Sequence, residues 1–185
     1  VAIDLSKYCG TDIFREYLHE PFNFGQYTYA TNGHILVRVP QRDGFGPLKK
    51  EFDIERPLKG VDTTSMSALS HLPLPPIPAS RNEECEDCEG SGHEHECPDC
   101  TCECSSCDGT GTVTVESNIS TTIRGLFYNL KYIAMALDLP GVVFADQTDD
   151  GDPFLFKFDG GVGAIMPMRY KSSEHVEIEQ VDRAA

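Results

Sequence analysis

Hydrophobic and polar positions fall into two similar stretches on either side of a cysteine-rich one. In the first, "DIFREYL" predicts a short helix capped by Thr11 and closed before Pro21. The segment "QYTYATNGHILVRVP" then gives two β-rich runs joined at Asn32-Gly33, a dipeptide suited to a type I′ hairpin whose central residues both need positive φ. A further short strand is expected at "EFDIE", and "LPLPPIPAS" stiffens the chain and ends regular structure. The second stretch opens with "TVTVES" and "TTIRGLF" as strands. Leu130, Ile133, Ala134 and Leu137 follow at i, i+3, i+4 and i+7, one apolar face of a helix ended by Pro140-Gly141. "GVVFADQ", "PFLFKFD" and "GAIMPMR" read as three more strands, separated by turn-rich "TDDGD" and "GGVG".

This pattern predicts an α+β protein built as one domain from two halves of β-α-β-β-β type, interrupted by an insertion. The expected boundaries are 1–80 for the first half, 81–112 for the insertion and 113–170 for the second half. Residues 171–185, of mixed charge and low apolar content, read as a loose tail.

The insertion changes the picture chemically, because seven of the eight cysteines lie between Cys85 and Cys107. Three CxxC pairs are present: Cys85/Cys88, Cys97/Cys100 and Cys104/Cys107, with Cys102 between the last two. Two residues between thiolates let one tight turn aim both sulfurs at a tetrahedral metal. The first and last pairs both continue as CxxCxGxG, and a glycine past the second sulfur lets the backbone turn its N–H groups toward the thiolates. Their separation is that of a four-cysteine zinc site. Disulfides are disfavoured, since sulfurs so close in sequence pair with difficulty. "HEHEC" is neither HExxH nor the HxE…PCxxC pattern of zinc deaminases, which argues against a hydrolytic zinc.

The insertion resembles the cysteine-rich zinc domain of DnaJ-type co-chaperones, in which CxxCxGxG repeats pair first with last and second with third around two zincs. The resemblance assigns Cys85, Cys88, Cys104 and Cys107 to one zinc. It leaves Cys97, Cys100 and Cys102, with His95 or His93, for a second, although the inner repeats depart from the family in lacking their glycines and one CxxC.

Charge narrows the partners. Of the net −15, residues 81–111 carry −9, from ten acids against Arg81, leaving −6 elsewhere. Phosphate binding relies on Lys and Arg, so neither part reads as a nucleic-acid surface, and the acids read first as a solvated face. No apolar run is long enough to span a membrane, and the first residues lack the regions of a signal peptide. A cytoplasmic protein without membrane contact is the expectation.

The flanking stretches resemble bacterial DNA sliding clamps, the β subunit of the replicative polymerase. "ATNGHILVRVP" is similar to the clamp's ATDGHRLA hairpin, "FYNLKYIAMAL" to its FNxxYLxxxL helix, and "GAIMPMR" to its terminal VMPMR strand. In that family these motifs contribute to a pocket for short linear peptides. The resemblance therefore implies Thr31, Gly33, His34 and Leu36 from the hairpin, Asn129 and Tyr132 from the helix start, and Met166, Pro167, Met168 and Arg169 from the last strand. Ile35 and Asn32 stand where the family carries arginine and aspartate. Clamps draw the hairpin and terminal strand of one pocket from neighbouring domains, so a single-domain chain would complete it between subunits. Encircling DNA would likewise need a homo-oligomeric ring.

These readings imply a non-enzymatic, zinc-binding, sliding-clamp-like module that docks a protein or linear peptide, linked to DNA replication or repair. The competing reading is a zinc-finger adaptor or co-chaperone-like module whose insertion binds a partner or client. No nucleophile triad, phosphate loop or paired-carboxylate signature favours an enzyme, and Cys9 reads as a small buried apolar residue.

Overall fold

The computed structural model describes residues 3–50, 52–68, 77, 81–93, 102–115, 118–123, 125–146 and 151–177. They form two compact units, Val1–Pro75 with Ile119–Ala185, and Pro76–Asn118. The strands in chain order are β1 (Phe22–Phe24), β2 (Tyr27–Thr31), β3 (Ile35–Pro40), β4 (Met66–Ser67), β5 (Arg81–Glu84), β6 (Thr112–Val115), β7 (Ile119–Ile123), β8 (Leu126–Asn129), β9 (Val143–Ala145), β10 (Phe154–Phe158), β11 (Gly161–Ile165) and β12 (Glu174–Val176). The helix α1 (Leu130–Leu137) is the one α-helix among the described residues, so the protein is mostly β, with the α+β character expected. No helix of the described residues is long and apolar enough to cross a membrane.

In the first unit a seven-stranded sheet runs β1-β2-β3-β11-β10-β9-β4 and a three-stranded sheet runs β12-β7-β8. The N- and C-terminal portions thus share one sheet: β3 pairs antiparallel with β11, Ile35 opposite Ile165 and Val37 opposite Gly163. Strand alternation builds two cores. Ile35, Val37 and Val39 of β3 and Phe154, Phe156 and Phe158 of β10 pack in one cluster with Ile133 and Ala136 of α1. Leu36 and Leu155, one residue out of phase, join Ile54, Leu58 and Val61 in the other. Gly163 faces Phe156 across the strand pair, and a Cβ there would lie 2.1 Å from the ring, so the missing side chain is what lets the aromatic lie flat.

Several local expectations are corrected. "DIFREYL" forms a 3-10 helix, Ile13–Leu18, capped by the Asp12 side chain rather than Thr11 and kinked at Arg15. Only Leu18 is buried in it, too small an apolar face to hold an α-helix of that length. "EFDIE" is not a strand over its described residues. The chain instead turns into the 3-10 helix Arg56–Leu58, and Ile54, Leu58 and Val61 bury at spacings of four and three rather than two. "TTIRGLF" is two strands, β7 and β8, and "MPMR" lies past the end of β11. The presumed tail contributes β12, which pairs in parallel with β7.

The hairpin is present between β2 and β3, but only Gly33 has positive φ; Asn32 does not. Asn32 works through its side chain, whose Oδ1 accepts the N–H groups of His34 and Ile35. The Thr31 hydroxyl donates to Ile35 O and accepts the Gly33 N–H. An Asx-type turn has replaced the backbone turn the dipeptide suggested.

Candidate metal centre

In the second unit β5 and β6 pair antiparallel, with Glu84 opposite Thr112, and lead into two knuckles related by an offset of 19 residues. Each hydrogen bond of the first knuckle has its counterpart in the second. The Cys85 N–H donates to Gly111 O at 2.9 Å and the Cys104 N–H to Gly92 O at 2.8 Å. The Gly92 N–H donates to Cys88 Sγ and the Gly111 N–H to Cys107 Sγ, both at 3.3 Å. His93 bridges Glu103 as Thr112 pairs with Glu84.

The glycines of the motif are required by this geometry. Gly92 and Gly111 have φ of 76° and 74°, and a Cβ on either would come within 2.3 and 2.2 Å of a carbonyl of the opposite knuckle. Any side chain would push the knuckles apart and withdraw the two N–H groups from the sulfurs.

The four sulfurs of Cys85, Cys88, Cys104 and Cys107 are buried and lie within 4.8 Å of one another. Across the knuckles, Cys85–Cys104 and Cys88–Cys107 are 3.8 and 3.7 Å apart. Four thiolates around zinc at about 2.3 Å, in a tetrahedron, have sulfurs about 3.8 Å apart, so the donor set fits zinc. Burial raises the Cys85 thiol to about 11 and raises Cys104 as well. Burial also pushes Cys88 up, but the Gly92 N–H and the thiols of Cys85, Cys107 and Cys104 outweigh it and hold Cys88 down at about 7. The N–H groups aimed at Cys88 and Cys107 favour sulfur as thiolate, and a bound cation would draw off the thiol protons. With four protein sulfurs there is no open position for water, so a bound zinc here would fold the chain rather than perform catalysis.

Of the residues considered for a second zinc, Cys97, Cys100 and His95 lie outside the described residues. His93 and Cys102 are exposed and stand apart from the four-sulfur cluster.

The clamp-like motifs occupy one region of the first unit. The His34 ring stacks on Tyr132 with centroids 5.5 Å apart and planes at 12°, and the His34 carbonyl accepts the Met166 N–H at 2.8 Å. Hairpin, helix and the end of β11 therefore meet within one chain. Asn129 caps α1, its side chain accepting the Lys131 N–H. Thr31 and Leu36 are buried, and Thr31 serves the hairpin turn. The Met168 N–H donates to Phe127 O, with Pro167 half-buried beside it and Arg169 exposed. Met166 and Met168 do not alternate on a strand as the motif suggested, because β11 ends at Ile165.

One contribution escapes a reading of the sequence by motif. Arg15 reaches over Gly33, where a Cβ would lie 2.3 Å from its guanidinium, and it pairs with Asp12 at 2.9 Å. Partial desolvation and, second, the Arg15 charge hold the His34 imidazole below its ordinary value although the residue as a whole stays exposed. Nothing local in the sequence signals that approach. Ser91 and Thr110, by contrast, could have been found by aligning the two CxxCxGxG repeats, since both put a hydroxyl between the glycines. Compared with family models, curated proteins and solved structures, the chain matches none of them, so the likenesses to sliding clamps and to DnaJ-type zinc domains rest on its residues alone.

Proposed function

We propose that this chain is a non-enzymatic protein-interaction module of sliding-clamp type whose inserted loop is folded by one structural zinc. The observation that carries the reading is the set of four buried sulfurs within 4.8 Å, with N–H groups of Gly92 and Gly111 aimed at two of them. Native mass spectrometry of the intact chain should find one zinc held by these residues. Cys104→Ser should lower occupancy, and equal occupancy in both proteins would contradict the assignment. Any further zinc that survives Cys104→Ser would belong to the inner cysteines.

The docking role is supported by the stacking of the exposed His34 ring on Tyr132, a flat aromatic pair held in place where the His34 carbonyl accepts the Met166 N–H. A clamp-type linear peptide is the expected ligand, and Tyr132→Ala should weaken it by about tenfold or more, the usual effect of losing an aromatic anchor. Capture of a partner that survives Tyr132→Ala but is lost on replacing residues 83–111 with a short Gly/Ser link would favour the zinc-finger adaptor instead. The charge of −15 supports a protein partner over encircled DNA.

A further inference from the structure

The last described segment of the first unit holds to the fold almost entirely by polar contacts. After Met168 touches β8 at Phe127, the chain passes through exposed Arg169, Tyr170 and Lys171 and adds β12 to the edge of β7. The register sets Glu174 opposite Ile119, His175 opposite Ser120 and Val176 opposite Thr121. None of residues 169–177 is buried, yet Ser120, beneath them, is fully buried.

The contacts are reciprocal and directional. The Ser120 N–H donates to Ser172 Oγ at 2.9 Å, and the Ser172 N–H donates to Ser120 Oγ at 3.1 Å. His175 spans two rungs, its Nδ1 sharing a hydrogen bond with Ser120 Oγ at 2.8 Å and its Nε2 with Thr122 Oγ1 at 3.1 Å. The Phe127 ring meets the imidazole edge-on with centroids 5.8 Å apart. A segment that buries no apolar side chain gains little hydrophobic stabilisation, and each net hydrogen bond contributes modestly because water replaces it when the segment leaves. The segment is therefore among the easiest parts of this unit to detach, whereas the edge it covers is part of the core.

We propose that the edge of β7 is a strand-addition site for an extended peptide with a Ser-x-x-His pattern, closed in cis by the chain's own Ser172 and His175. The ladder of β7 supplies the affinity common to any added strand, and the Ser120 and Thr122 hydroxyls supply the selectivity, since they need a residue with hydrogen-bonding atoms at both ends of a short ring. A tethered strand works at an effective concentration far above that of a free one, so an incoming peptide competes poorly until the strap is weakened.

The test uses the full chain and a labelled peptide of residues 171–177. His175→Ala in the chain should accelerate hydrogen exchange of the β7 amides by about tenfold while β3, β10 and β11 amides keep theirs. The same variant should bind the peptide about tenfold more tightly than the unaltered chain does, and a peptide with alanine in place of its histidine should bind that variant about tenfold more weakly than the parent peptide does. Unchanged β7 exchange, or equal peptide affinity for both chains, would overturn the proposal. So would global unfolding of His175→Ala, because the strap would then be an integral part of the core.

Discussion

Ser91 and Thr110 show how much of the metal centre is built by groups that never touch the metal. Ser91 Oγ lies 2.7 Å from Cys88 O and Thr110 Oγ1 lies 2.6 Å from Cys107 O, so each fixes the turn that delivers an N–H to a sulfur. That N–H stabilises the thiolate, and its loss leaves the ligand in place but poorly aimed. Gly92→Ala should therefore weaken zinc binding by roughly 10- to 100-fold, the usual scale for outer-shell disruption, in competition with a chromophoric chelator. Cys9 makes the contrasting case. Its thiol is raised to about 11, first by burial and then by the Glu20 and Asp4 carboxylates. A raised thiol is protonated below its pKa, so at pH 8 little thiolate exists, and the fraction grows as pH rises toward 11. With zinc bound, a disulfide reagent at pH 8 should modify Cys9 far more slowly than a free cysteine, about a hundredfold, with the rate climbing steadily above pH 9. A fast Cys9 at pH 8 would contradict its half-buried placement.

At the scale of elements, α1 separates what a pattern can convey from what only packing decides. The helix itself, its Asn129 cap and its end before Pro140 follow from local signals. The face does not: the buried positions are Leu130, Ile133 and Ala136, not the Ala134 that a spacing of four favours. In eight residues, spacings of three and four are equally helical, and the side chosen depends on where Phe144, Phe154 and Phe156 stand in the sheet below. Ala136→Leu should accordingly cost about 1–3 kcal/mol by overpacking, read from urea unfolding, and Ala134→Leu should cost less. Equal losses would mean the helix is rotated from the orientation described. The same distinction explains the other departures. Period-two runs located β2, β3 and β10, because both faces of these strands are buried and their residues are mostly β-branched or aromatic, whereas β11, Gly161–Ile165, begins inside the glycine-rich stretch read as a turn and ends before MPMR. Polar β12 carried no such signature, since its partner is a row of hydroxyls and not a core. The metal cage was legible for a different reason: sulfur donors at fixed spacing admit few geometries.

For the molecule as a whole, the two units differ in what holds them. The first has two apolar clusters on opposite faces of a seven-stranded sheet, rich in Phe, Ile, Leu and Val. Buried area of that kind stabilises a fold without help. In the second, the described buried cluster is the four cysteines with Val113 packed against them, which is too little apolar surface to offset the entropy of ordering the knuckles. Its folding is then coupled to the ion, and a ligand present at a thousand times its dissociation constant contributes about 4 kcal/mol. A strong chelator at neutral pH should abolish hydrogen-exchange protection at the N–H groups of Cys85, Gly92, Cys104 and Gly111 and leave β3, β10 and β11 protected. Restoring zinc should return the first set alone. The thermal transition of the first unit should stay where it was throughout, because its own two apolar clusters hold it. If chelation melted both sets together, the knuckles would be a cooperative part of the sheet's own core. A metal-independent cage would point instead to direct thiol hydrogen bonding as the force that closes it.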